Sequence, residues 1–103
     1  MITKRKILAV DDTPSNLEVI TETLEDAGYQ VATALDGNRA LKRAYSYQPD
    51  LILLDIMMPD IDGFETCRRL KSDPSTANIP VIFITALSDA ETKWMSEKSG
   101  LRR

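Results

Sequence analysis

Four polar residues occupy the same kind of position, at the end of a short apolar run, and they are Asp11, Asp12, Asp55 and Thr85. The apolar runs are residues 7–10, 51–54 and 81–84. Such runs, bounded by turn residues, are typical of buried strands in a parallel sheet. Because open α/β sheets bind ligands outside the carboxyl ends of their strands, we expect these four side chains to lie at one such edge.

Carboxylates that meet in this way repel one another, and each would favour a bound cation. A hard divalent ion with oxygen ligands meets this need, and Mg²⁺ is the usual choice where a phosphoryl group is handled. Beside that ion, Asp55 could attack phosphorus as an anionic nucleophile and form an aspartyl phosphate. Thr85 could donate its hydroxyl to a phosphoryl oxygen. Each residue alone would pass for a turn or cap residue, but their conjunction favours a metal-assisted phosphoryl site.

Helical patterns fill the intervals between the apolar runs. Thr13-Pro14 is typical of a helix start, and Gly28 of the residue that follows a helix. Asp36-Gly37 marks a turn before a second helix, and Asp62 with Glu65 forms a predicted capping box for a third. The residues predicted for the inner faces of these two helices are Ala40, Leu41, Ala44 and Tyr45, and then Phe64, Cys67 and Leu70.

The resulting order, β-α-β-α-β-α-β-α, predicts one domain over residues 1–103. Strands that alternate with helices form a parallel sheet with right-handed crossovers and helices on both faces. We therefore expect an α/β, doubly wound parallel sheet with four strands and four helices. Its second strand would cover residues 29–34, and its last helix would begin with a capping box of Ser88 and Glu91. Cys67 is expected to be a small core residue rather than a nucleophile.

The composition argues against several function classes. A net charge of -3 over 103 residues gives no reason to expect nucleic acid or an anionic membrane as a partner. No apolar run approaches the length of a membrane span. The single cysteine cannot form an internal disulfide, so a cytoplasmic location is the expectation. The chain has no histidine, which excludes His-based catalysis and most zinc sites within it.

The chain resembles the receiver domain of two-component response regulators, a flavodoxin-like fold, as far as about residue 99. The matching motifs are Ile7-Leu-Ala-Val-Asp11-Asp12, Leu54-Asp55-Ile-Met-Met-Pro59-Asp-Ile-Asp62-Gly63 and Ile79-Pro-Val-Ile-Phe-Ile-Thr85-Ala86. Their order and spacing together are highly specific. The resemblance implies a regulatory domain rather than an enzyme, with at most weak autophosphatase behaviour.

The resemblance also implies a role for each site residue. Asp55 would be the phosphoacceptor, and Thr85 the switch hydroxyl. Asp11, Asp12, Asp55 and the backbone carbonyl of Met57 would hold Mg²⁺. A histidine kinase or phosphotransfer protein would donate the phosphoryl group in trans, which fits a chain without histidine.

The last residues, Ser99-Gly-Leu-Arg-Arg103, do not match the family's continuation into a fifth strand, a Lys-Pro dipeptide and a fifth helix. We therefore expect a C-terminally abbreviated receiver that lacks the fifth β-α unit and contains no phosphate-binding lysine. Without that unit the fourth strand, Val81–Thr85, would be a bare apolar edge, which invites pairing with another chain. The simplest result is a homodimer that pairs the two fourth strands antiparallel.

Other interpretations stay open at this point. The chain could be a truncated receiver-like association module whose acidic site survives without a working phospho-switch. A phosphatase with an Asp nucleophile would need a second Asp two residues on, where this chain has Met57. A P-loop nucleotide enzyme is weaker still, because no Gly-rich loop with Lys-Ser/Thr occurs.

Overall fold

Seven elements alternate along residues 4–84, which are the residues that this computed structural model describes. The strands are β1 (Lys6–Val10), β2 (Gln30–Ala34), β3 (Leu51–Asp55) and β4 (Val81–Ile84), and the helices are α1 (Pro14–Asp26), α2 (Gly37–Tyr47) and α3 (Gly63–Ser72). All strand pairs are parallel, in the order β2-β1-β3-β4. The predicted parallel α/β sheet is therefore confirmed. The predicted fourth helix, with Ser88 and Glu91, lies outside the described residues.

Different helices cover the two faces of the sheet, and alternate residues of each strand point to one face or the other. On one face a buried cluster joins sheet residues to α2 and α3, and its members include Leu8, Val10, Ile52, Leu54, Phe83, Ala40, Ala44, Cys67 and Leu70. On the other face Ile7 and Ala9 are buried, and α1 forms a groove with Val31 and Thr33. Cys67 is thus a core residue, as predicted.

Two residues predicted for inner helix faces lie largely in solvent. Tyr45 is 64% exposed, because the small residues Ala40 and Ala44 make the contact with the sheet and the next position turns away by about 100°. Phe64 is 50% exposed, although its ring still packs against Phe83 with the centroids 5.0 Å apart. The inner face of α2 is therefore narrower than its sequence suggests.

The helix starts differ in detail from the predicted caps. Thr13 is the N-cap residue of α1, but its side chain makes no capping hydrogen bond. At α3 the predicted capping box is half formed: Asp62 accepts from the Glu65 N–H at 2.8 Å. The Glu65 carboxylate instead pairs with Arg68 and Arg69, which bind it more strongly than a neutral backbone N–H would. None of the helices within residues 4–84 is long and apolar enough to span a membrane.

Candidate functional site

Three carboxylates converge at the carboxyl edge of the sheet. Asp11 and Asp12 follow β1, and Asp55 is the last residue of the neighbouring strand β3. The pairing of these strands places Val10 beside Leu54, so Asp11 and Asp55, which follow them, lie side by side at this edge. One carboxylate oxygen from each acid lies within 4.8 Å of the other two. The fold thus brings together three of the residues that the sequence placed at this edge.

Asp11 is buried and is tied to the first turn of α1. Its Oδ1 accepts from the Thr13 N–H at 2.9 Å, and its Oδ2 accepts from the Asn16 side-chain amide at 3.3 Å. Burial raises the pKa of Asp11, while the bonds from Thr13 and Asn16 oppose that rise. Asn16 was missed in the sequence; its place in the first helical turn, five residues after Asp11, is the signal that could have indicated it.

Asp11 therefore has a structural role that can be separated from its charge. Asp11→Asn keeps an oxygen for the Thr13 N–H, whereas Asp11→Ala leaves both this donor and the Asn16 amide without a partner. We expect Asp11→Ala to be less stable than Asp11→Asn by about 1–2 kcal/mol, as for the loss of a helix cap. Urea unfolding of both variants at one pH measures the difference, and equal midpoints would contradict it.

Asp55 is the most strongly perturbed acid at this edge. Asp55 is 5% exposed to solvent, and the pKa of its carboxyl group is raised to about 6. Burial is the main cause, and the nearby charges of Asp11 and Asp12 add to it. The backbone N–H groups of Met57 and Ile56 act in the opposite direction, because they stabilise the ionised form. Asp55 is consequently an anion that the protein holds at a cost in free energy.

The loop between β3 and α3 fixes the backbone of Asp55. The Gly63 N–H donates to the Ile56 carbonyl at 2.8 Å, which brings the start of α3 against the end of β3. A Cβ on Gly63 would collide with the Asp55 carbonyl oxygen and would lie 2.8 Å from the Ile56 Cα. Within the loop, Asp60 adopts a left-handed conformation with φ 66°. Glycine at position 63 is therefore what allows this close approach.

The remaining predicted site residues are only partly placed. Met57 follows Asp55 by two residues, its side chain is 75% exposed, and its N–H interacts with the Asp55 carboxylate. The predicted use of its carbonyl as a metal ligand stays a prediction. Thr85 lies outside residues 4–84, so its role as a switch hydroxyl stays a prediction too. It follows Ile84, whose carbonyl accepts from the Ile56 N–H at 3.4 Å.

The donor set at this edge fits a hard cation. Its members are carboxylates, two buried and one exposed, and within residues 4–84 no lysine or arginine forms an ion pair with any of them. A divalent ion would supply the missing positive charge, which would offset the burial of the Asp55 carboxylate and its repulsion by Asp11 and Asp12. The exposed Asp12 leaves the cluster open to solvent on one side. The arrangement can therefore hold an oxygen-liganded cation beside a nucleophilic carboxylate.

Comparison with known proteins gives a family for this chain. Residues 7–102 match the family model of the response regulator receiver domain. The chain is 46% identical over 95 residues to the response regulator PleD of Caulobacter vibrioides, covering 92% of this chain and 21% of that protein. It is 37% identical to protein PilH of Pseudomonas aeruginosa, covering 94% of this chain and 80% of PilH.

A solved structure agrees with this family at the level of the fold. The chemotaxis protein CheY4 of Vibrio cholerae is 34% identical and superposes with a TM-score of 0.80, covering 95% of this chain and 78% of that one. Among the curated relatives, this chain spans about a fifth of PleD and 39% of the transcriptional regulator RpaA of a Synechocystis species. The chain belongs to the family of response regulator receiver domains.

Proposed function

We propose that this chain is a phosphoacceptor domain that is phosphorylated on Asp55 in a Mg²⁺-dependent reaction. The observation that carries the proposal is the cluster of Asp11, Asp12 and Asp55, whose carboxylate oxygens lie within 4.8 Å of one another. Asp55 is its candidate nucleophile because β3 ends on it and its carboxylate lies beside those of Asp11 and Asp12. Its output is a change of state that a partner detects, so the domain is regulatory rather than an enzyme.

In the proposed reaction an oxygen of the Asp55 carboxylate attacks the phosphorus atom of a donor. A new P–O bond forms, and the bond to the donor's leaving group breaks, so the phosphoryl group is transferred without oxidation or reduction. Mg²⁺ would neutralise charge on the transferring group. Asp11, Asp12, Asp55 and the Met57 carbonyl would hold this ion, and the Thr85 hydroxyl would bind a phosphoryl oxygen.

The proposed phosphodonor is a histidine kinase or a phosphotransfer protein. These 103 residues contain no histidine, so the donor phosphohistidine would lie outside them. We also propose that the chain is cytoplasmic and that it slowly loses the phosphoryl group by autophosphatase action.

Labelling with a small phosphodonor tests the proposal directly. Incubation with acetyl phosphate and Mg²⁺ should add one phosphoryl group, measured as intact mass, and Asp55→Asn should abolish the addition. Asp60→Asn is the matched control, because it removes an exposed acid from the same loop and keeps a residue that tolerates left-handed backbone. Wild-type protein that stays unlabelled, or Asp55→Asn that is labelled equally, would overturn the proposal.

A second candidate function is self-association through β4. This strand is the outer one in residues 4–84, and its Pro80 and Ile84 carbonyls face β3, so the backbone groups of Val81 and Phe83 face outward. A homodimer pairing the two β4 strands antiparallel would satisfy them. Light scattering at micromolar concentration should then give a dimer mass for wild type and Asp55→Asn alike, and a monomer would remove this candidate.

A further inference from the structure

The outer edge of β2 has backbone groups that no other strand uses within residues 4–84. On its inner side the Gln30 N–H donates to the Arg5 carbonyl at 2.9 Å, and the Ala34 carbonyl accepts from the Asp11 N–H at 3.2 Å. Residues of a parallel strand turn their N–H and carbonyl groups alternately to one side and the other. The groups of Val31 and Thr33 therefore point outward, and this edge can accept one more strand.

Two grooves border the β2 edge, one on each face of the sheet. The groove on the α1 side has a volume of about 540 Å³, and the groove on the α2 side has about 390 Å³. Thr33 and Leu35 line both grooves, so the two meet at the strand itself. Side chains of an added strand would enter them alternately, because successive residues of a strand point to opposite faces.

The two grooves carry opposite charge. Exposed Glu18, Glu22 and Glu25 line the α1 groove, and α1 contains no basic residue. Exposed Arg39, Lys42 and Arg43 line the α2 groove, and α2 contains no acidic residue. Within residues 4–84 a single one of these six side chains has an ion-pair partner: Arg39 lies 3.4 Å from Asp36. The edge therefore separates an acidic wall from a basic wall.

We propose that the β2 edge binds an extended segment of a partner protein in which acidic and basic residues alternate. The segment's backbone pairs with the outward groups of Val31 and Thr33. Its acidic side chains face Arg39, Lys42 and Arg43, and its basic side chains face the glutamates of α1. Backbone pairing supplies affinity, and the alternation of charge fixes which face of the segment turns to which helix. This binding goes beyond the proposed phosphorylation and does not require it.

A second copy of this chain is a poorer occupant of the same edge. Antiparallel pairing of two β2 strands about a two-fold axis perpendicular to the sheet keeps each face on its own side. The acidic α1 of one copy would then lie beside α1 of the other, and the basic α2 beside α2. Like charges would oppose each other on both faces, whereas the alternating segment is complementary on both.

Two synthetic peptides of identical composition test the charge pattern. One alternates Glu and Lys over about eight residues, which spans β2 at about 3.3 Å per residue. The other repeats Glu-Glu-Lys-Lys, so each of its faces carries both charges. Fluorescence anisotropy at physiological ionic strength should show the alternating peptide binding at least about tenfold more tightly to wild type. Equal affinity of the two peptides would overturn the proposal, because it would indicate attraction without alternation.

Variants and hydrogen exchange test the place of binding. Arg39→Glu combined with Arg43→Glu should abolish binding of the alternating peptide, and Asp55→Asn should leave it unchanged. Thr33→Pro should also abolish it, since proline removes the outward donor but is tolerated at a strand edge, and Thr33→Val is its control. In wild type, the peptide should slow amide exchange at Val31 and Thr33. Unchanged exchange at both amides on addition of the peptide would overturn the proposal whether or not the variants fold. Protection that rises with protein concentration in the absence of peptide would also overturn it, because the edge would then bind a second copy of the chain.

Discussion

In buffer without divalent cations, Asp55→Asn should stabilise the domain at pH 7 by about 2–3 kcal/mol. The pKa of Asp55 is about 6 in the folded chain, against an ordinary value of 3.8. A difference of this size corresponds to about 3 kcal/mol at about 1.4 kcal/mol per pH unit. The asparagine is neutral at every pH, so it avoids both the burial of a charge and the repulsion from Asp11 and Asp12.

The dependence on pH has a definite sign. Because folding raises the pKa of Asp55, its protonated form favours the folded state, and this contribution is complete below about pH 4. It is lost as the pH rises through about 6, so the free energy of unfolding of the wild type should fall over this range. The raised pKa of Asp11 acts in the same direction. Glu65 acts in the opposite direction, since its pKa is lowered to about 2. Its contribution to stability is lost only as the pH falls below its ordinary pKa of 4.5.

Magnesium should stabilise the wild type and so reduce or remove the advantage in stability of Asp55→Asn. A cation that binds the folded state stabilises it by about 2.7 kcal/mol at a hundredfold excess over its Kd, so Mg²⁺ should raise the wild-type unfolding midpoint at pH 7. Asp55→Asn should gain far less from the same addition. Asp60→Asn serves as the control, because it removes an exposed charge from the same loop and should keep the full response. Denaturant unfolding at pH 4, 5, 6 and 7, with and without Mg²⁺, measures all three proteins. Wild type with flat stability across this range and no response to Mg²⁺ would contradict the account of the site.

Gly63→Ala should destabilise the domain by about 3 kcal/mol and weaken Mg²⁺ binding. The new methyl group would collide with the Asp55 carbonyl and the Ile56 backbone, and backbone cannot move aside as a flexible side chain can. Moving that backbone would also displace the Asp55 carboxylate and the Met57 carbonyl. Glycine has no intrinsic advantage over alanine in a helix, so a loss of stability in Gly63→Ala would be due to the collision.

Gly28→Ala is the matched control for this prediction. Gly28 has φ 100°, and a Cβ added to it would meet no atom within 4 Å, so alanine there costs backbone strain of about 1–2 kcal/mol without touching the site. Both variants should lose stability, but the Mg²⁺ affinity should fall in Gly63→Ala alone. Calorimetric titration with Mg²⁺ and denaturant unfolding separate the two effects. Equal Mg²⁺ affinity in the two variants would contradict the proposed link between Gly63 and the site.

The sheet could be predicted from the sequence because its strands are short apolar runs ended by turn residues. Asp55 illustrates this: four apolar residues precede it, and the edge it occupies follows from the parallel arrangement alone. The inner faces of the helices were less predictable. Tyr45 lies at a helical spacing that suits the core, but Ala40 and Ala44 make the contact with the sheet and the position after Ala44 turns away from it.

The mutual repulsion of the three carboxylates could be predicted from the sequence, but the dominant effect of burial on Asp55 could not. Nothing in the sequence around Asp55 indicates that its pKa rises to about 6, since this depends on burial by residues that are distant along the chain. Asn16 was missed for a related reason, because an asparagine in the first turn of a helix is ordinarily a solvent-facing residue. Its bond to Asp11 becomes visible when the end of β1 and the start of α1 are placed together.

Within residues 4–84, the opposite charges of α1 and α2 give the two faces of the sheet opposite electrostatic character. Glu18, Glu22, Glu25 and Asp26 lie on α1, and Arg39, Lys42 and Arg43 lie on α2, on the opposite face of the sheet. The charges on these two helices contribute a dipole component roughly perpendicular to the sheet, which favours one orientation of a partner that carries complementary charges. Such orientation reaches about one Debye length, about 8 Å at physiological ionic strength. Association with a partner whose charges are complementary to both faces should therefore slow with added salt, although the net charge of the chain is only -3.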